Sequence, residues 1–181
     1  LLRGVDRVVV SSPAFAVGPF AGLPNGVLSL VENKVYDPHG GSVPAADEAP
    51  SGPPWRIGWF GMIRCRRSLA ILGRLTEALP GRVEVEIRGR PSPAEFEDFV
   101  ALTGAMPGVT FLGSYEAEDL AAHYDGVHFV WALDFFEEGL NSRWLLPNRL
   151  YEGGVRDRPI IAQAEVETGR WLAQRGCGVL L

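Results

Sequence analysis

Residues 55–89 read WRIGWFGMIRCRRSLAILGRLTEALPGRVEVEIRG, and the order of patterns inside this stretch decides the fold. Trp55 to Phe60 is an apolar run that ends at Gly61, which is how a buried strand reads. Ser68 to Leu79 follows with Leu69, Leu72, Leu75 and Leu79 on one helical face, Ser68 as the expected cap and Pro80-Gly81 as the stop. Val83 to Ile87 then alternates apolar and acidic residues, a second strand. Strand, helix and strand at these lengths require a crossover, so the two strands lie parallel.

The same alternation continues to the last residue. Ala94–Leu102, Tyr115–Tyr124, Pro147–Gly153 and Glu165–Arg175 read as helices, Val109–Leu112, Val127–Ala132, Pro159–Ala162 and Val179–Leu181 as strands. Six strands between Trp55 and Leu181 predict a doubly wound α/β domain with a Rossmann-like parallel sheet. Upstream, Asp6–Ser12 reads as a strand stopped by Pro13, and Ala14–Asn33 shows no helical period apart from an extended stretch at Val27–Val31. His39–Pro54 carries Gly40, Gly41, Pro44, Pro50, Gly52, Pro53 and Pro54 and reads as a linker. The boundary is expected near residue 54, with residues 1–54 an interdomain segment and 55–181 the binding domain. The missing initiator Met and the short final strand predict a piece of a larger protein.

Composition narrows the function. Seventeen basic residues against 22 acidic ones give a net charge of -5, which disfavours a broad nucleic-acid surface but allows a local phosphate pocket. Cys65 and Cys177 make no disulfide framework, and no His or Cys spacing fits a metal site. No apolar run is long enough to span a bilayer. Neither G-x-G-x-x-G, a P-loop nor G-x-S-x-G occurs.

In doubly wound sheets ligands bind outside the carboxyl ends of the strands. Gly61, Gly89 and Gly113 each follow a strand. Arg64, Arg66 and Arg67 lie just beyond Gly61, where guanidinium forks and a helix N-terminus suit a phosphate or diphosphate. The alternative is a solvated basic turn. In Asn148, Arg149 and Glu152, the asparagine and glutamate share one helix side. A carboxylate there can take ribose hydroxyls and the other two can reach phosphate; a helix cap with an Arg149–Glu152 salt bridge is the structural alternative. Asp134, Glu137 and Glu138 read as a solvated acidic loop. Trp59, Trp131 and Trp171 read as packing residues, whereas Trp144 sits among polar neighbours.

Together these segments resemble the C-terminal nucleotide-sugar-binding half of a GT-B glycosyltransferase, of the retaining group 1 or family 4 type. The resemblance rests on residues 61–67, Ile87-Arg88-Gly89, Gly108 to Tyr115, Leu146-Pro147-Asn148-Arg149-Leu150-Tyr151-Glu152-Gly153 and Arg158 to Ala162. It implies a UDP-sugar or GDP-sugar donor, no other cofactor, no metal, and retaining transfer of a hexose. The acceptor, a saccharide or a lipid-linked one, would be bound by an N-terminal half. It further implies polysaccharide synthesis in the cytoplasm, with peripheral association at the inner face of the membrane. By this resemblance Gly61 lets the donor phosphates approach, Arg64 matches the family's arginine and Arg67 its diphosphate-binding lysine, with Arg66 as substitute. Glu152 matches the second glutamate of the E-x7-E element. Trp144 stands where the first belongs, and Asn141, Ser142 and Arg143 would replace it. A non-catalytic nucleotide or sugar-phosphate binding module is the alternative. A phosphorylase is disfavoured because Lys34, the one lysine, lies outside the α/β domain.

Overall fold

The computed structural model describes residues 4–24, 26–35 and 46–181; residues 39–45 of the expected linker lie outside them. A small N-terminal unit contains β1 (Val8–Val10), α1 (Pro13–Val17) and β2 (Leu28–Leu30), with β1 parallel to β2. α1 was not expected from the pattern. Ser12 caps it by accepting the Ala14 N–H, and Pro13 at its first position needs no partner.

The larger unit runs β3 (Trp55–Ile63), α2 (Arg66–Ala78), β4 (Val83–Pro91), α3 (Phe99–Gly104), β5 (Val109–Phe111), α4 (Leu120–Asp125), β6 (Phe129–Trp131), α5 (Asn141–Trp144), α6 (Asn148–Gly154), β7 (Ile160–Ala162), α7 (Glu167–Ala173) and β8 (Val179–Leu180). Its six strands are all parallel in the order β5-β4-β3-β6-β7-β8. The expected doubly wound sheet is therefore present. The order reverses between β3 and β6, so the crevice outside their carboxyl ends is the topological switch point.

Alternation along the strands builds two cores. Ile57, Trp59 and Ile63 of β3 pack with Leu69 and Leu72 of α2 and Phe99 of α3 on one face. Phe60, Val130 and Ala132 pack with Tyr124 of α4, Leu150 of α6 and Leu172 of α7 on the other. A one-residue slip of β3 would exchange these sets, so burial pins the register.

Several boundaries differ from the sequence reading. β3 continues through Gly61 to Ile63, and β4 through Gly89 to Pro91, with the two glycines paired. The helix expected over 94–102 begins only at Phe99, because Asp98 accepts the Ala101 N–H and sets its start. The helix expected from Tyr115 begins as a 3₁₀ turn at Ala117. Cys65, not Ser68, caps α2. That correction places Arg66 and Arg67 in the first helical turn and frees Ser68, which is fully buried, to donate to the Leu133 carbonyl at 2.9 Å.

Candidate functional site

The switch point is built around a thiol. Cys65 Sγ accepts the N–H of Ser68 and the N–H of Phe135, both at 3.3 Å. The start of α2 is thereby tied to the loop after β6, and Cys65, read from the sequence as a free thiol, is buried there. The same tie brings the basic turn against the acidic loop. Arg64 pairs with Asp134 at 3.2 Å and stacks 4.8 Å from the Phe136 ring centre. Arg67 pairs with Glu138 at 3.2 Å and lies 4.1 Å over Phe135. Arg66 turns away, to Glu95 at 3.3 Å and to the Phe96 ring.

These pairs are not equivalent. The Arg67 and Glu138 side chains are 58% and 60% exposed, so the pair contributes only about 0–1 kcal/mol and yields readily to a phosphate. Asp134 is 7% exposed. Rather than being solvated with the rest of the loop, it accepts the Phe136 N–H through its second oxygen and fixes the Arg64 guanidinium at the crevice.

Arg149, in the first turn of α6, approaches the same place. Its Nη1 is buried and has no hydrogen-bond partner among the described residues. Burial lowers its pKa; Asp134 and Tyr124 oppose that effect, and Arg64 adds to it. A buried guanidinium N–H left unmatched costs on the order of 1–3 kcal/mol, and an anion bridging Arg64 and Arg149 would remove that cost. The structural alternative for this segment is not formed. Among the described residues Arg149 makes no ion pair with Glu152, and α6 has no side-chain cap.

Glu152 instead accepts the Tyr124 hydroxyl at 2.8 Å. Asn148 and Glu152 line one cavity of about 370 Å³ beneath Asn33 and Lys34, so the expected shared side is realised. Burial raises the Glu152 pKa, outweighing the Tyr124 hydrogen bond and the Arg149 charge. A carboxyl raised on folding binds its proton more tightly in the native state. Its contribution to stability is therefore present at low pH and lost as pH climbs from about 4.5 through the raised value. Glu152→Gln should flatten that loss, and urea melts of both proteins between pH 4 and 7 would show the wild type falling relative to the variant.

Gly61 and Gly89 form the floor, with φ of 105° and 133°. A Cβ on Gly89 would meet the Gly61 carbonyl oxygen at 1.8 Å, whereas one on Gly61 would enter open space. Backbone is thus exposed at Gly61, beside a cavity of about 220 Å³ that also touches Arg90, Ser114 and Tyr115. The structure therefore brings Gly61, Arg64, Arg67, Gly89, Arg149 and Glu152 to the carboxyl edge around the switch point.

It divides the remaining candidates. Ser142 is buried and donates to the Glu137 carbonyl, a structural tie between α5 and the acidic loop. Asn141 begins α5, and its carbonyl accepts the Leu145 N–H. Arg143 and Trp144 face α1 across a separate groove. Trp59 and Trp131 are core residues, as expected. Cys65, Tyr124 and the two phenylalanines were not singled out from the sequence. The pair Phe135-Phe136 just after a strand, three residues before the next glycine, was the available signal.

Among the described residues, no helix is long and apolar enough to cross a membrane. No family model matches the chain. The chain is 47% identical over 182 residues to the succinoglycan biosynthesis protein ExoL of Rhizobium meliloti (strain 1021), covering 96% of its own length and 45% of that relative's. Solved structures share its fold. Three of them are Anabaena Alr3699/HepE in complex with UDP and glucose (TM-score 0.67, 15% identity), WaaG, a glycosyltransferase involved in lipopolysaccharide biosynthesis (0.63, 13%), and the lipopolysaccharide outer core galactosyltransferase WaaB in apo form (0.60, 17%). They cover 97%, 97% and 92% of the chain, and the chain covers 49%, 49% and 45% of theirs. The chain thus spans about half the length of each of these four proteins. Its fold is that of the Rossmann-like half of a GT-B glycosyltransferase.

Proposed function

We propose that this chain is the donor-binding half of a glycosyltransferase, holding a UDP- or GDP-sugar while a hexose passes to a saccharide or lipid-linked acceptor with retained configuration. The observation that carries this reading is the unpartnered, buried Arg149 Nη1 beside Arg64 at the switch point. Arg64 and Arg149 hold the diphosphate, Arg67 meets it at the rim, and the Gly61 backbone lets it sit close. Glu152, three residues further along α6, accepts the ribose hydroxyls. Because the leaving diphosphate gains charge as the glycosidic bond breaks, guanidiniums placed on it stabilise the transition state more than the ground state. The acceptor is carried by the other half of the whole protein, and cleft closure excludes water from the transfer. The UDP in the HepE complex and the biosynthetic role in the ExoL name are consistent with this class of donor and with polysaccharide synthesis.

Titration calorimetry with UDP, GDP, uridine and guanosine, with and without EDTA, tests the proposal. One nucleoside diphosphate should bind at least about tenfold tighter than its nucleoside, a difference of one charge-assisted contact, and EDTA should not change it. Equal affinity for UDP and uridine, and for GDP and guanosine, would remove the diphosphate site. A requirement for added divalent metal would remove the metal-independent part.

A further inference from the structure

The groove that takes Arg143 and Trp144 lies between α1, α5 and α7 and measures about 450 Å³. α5 and α7 both follow the carboxyl ends of their strands, β6 and β7, the edge of the sheet that carries the diphosphate site. Its aromatic wall is held firmly. The Trp144 ring packs against Phe15 with centroids 6.3 Å apart, and a Cβ on Gly18 would fall 2.7 Å from Trp144 Nε1. That residue therefore bridges the two units.

Its charges are unbalanced. The exposed Arg143 guanidinium makes no hydrogen bond or ion pair among the described residues. Arg170 is 51% exposed, donates to the Glu165 carbonyl and stands 4.0 Å from Glu167, the groove's one carboxylate. Two guanidiniums against one carboxylate leave a net positive site in a chain of net charge -5. Arginine forks match planar carboxylates and phosphates, and a fixed aromatic face suits the apolar face of a pyranose.

We infer that this groove binds an anionic saccharide, with Trp144 under the sugar ring and Arg143 and Arg170 on its acidic group. The inference rests on the glycosyltransferase reading only in taking the bound acid to be a saccharide. The groove shares no side chain with the diphosphate site, so the two can fail separately.

The test follows the Trp144 indole N–H by NMR in the 181-residue chain during titration with three probes. These are a glucuronic-acid-containing disaccharide, its neutral counterpart cellobiose, and glucose 1-phosphate. An acidic probe should shift the indole signal and bind about five times or more tighter than cellobiose. Arg143→Ala should abolish that preference and Arg143→Lys should restore part of it. The uronate binding better than the sugar phosphate assigns a carboxylate, and the reverse assigns a phosphate. Equal binding of acidic and neutral probes, or an acidic preference that survives Arg143→Ala, would overturn the inference. A UDP titration of the same variant should match the parent chain; that arm reports on the diphosphate site alone.

Discussion

Arg149→Met should raise the stability of the ligand-free protein and at the same time cost about ten- to a hundredfold in affinity for UDP. The two effects have one cause. The Arg149 Nη1 is enclosed without a hydrogen-bond partner, so the folded protein carries an unmatched guanidinium N–H whose charge only Asp134 and Tyr124 offset. Replacing such a group by an apolar side chain of similar length is neutral or favourable by about 1–3 kcal/mol. In a domain of this size that corresponds to a melting-point rise of roughly 2–4 °C per kcal/mol. The lost affinity corresponds to a charge-assisted bond to phosphate of about 1.5–3 kcal/mol. Arg64→Ala separates the roles. It should weaken UDP to a similar degree but lower the melting point, because Asp134, 7% exposed, would be left buried with its ion pair gone. Thermal melts and UDP titrations on the two variants check the pair of signs. A destabilised Arg149→Met that binds UDP normally would show that Arg149 is a packing residue.

Gly89→Ala should be the most damaging single methyl in the α/β unit. The new Cβ would lie 1.8 Å from the Gly61 carbonyl oxygen in a backbone with φ of 133°. Neither atom belongs to a flexible side chain, so relief requires β3 and β4 to part where they are paired. Such a clash, with the strain of a left-handed backbone, costs about 4 kcal/mol or more, or roughly 8–16 °C in melting point. Gly61→Ala meets open space and should cost only about 1–2 kcal/mol of backbone strain, yet its methyl would stand where the diphosphate must approach. Circular dichroism melts should therefore rank Gly89→Ala far below Gly61→Ala, and UDP binding should be impaired in both.

The sheet was readable because each strand and helix carries its own period. Val83–Ile87 alternates and Leu69, Leu72 and Leu75 recur on one face, and neither needs a distant partner to be recognised. α1 and α5 were not readable for the opposite reason. They have five and four residues, too short to be stable alone, and are held by Phe15, Gly18 and Trp144 packing on one another. The start of α2 was misjudged by three residues because serine is the commoner cap, while the thiol of Cys65 takes that part only once Phe135 is brought beside it. The candidate site divides along the same line. Gly89 and Glu152 announced themselves by their place after a strand and along a helix. The ranking of the arginines did not, because exposure and pairing with Asp134, Glu138 and Glu95 depend on how the two loops meet.

What Arg149 touches when a nucleotide is bound decides where the donor sits, and a crystal structure of the chain with UDP answers that directly. The diphosphate should lie at the carboxyl ends of β3 and β6, with a phosphate oxygen about 2.7–3.2 Å from Arg149 Nη1 and another on Arg64. A diphosphate bound elsewhere, or one at the switch point that leaves Arg149 Nη1 without an oxygen, would contradict it.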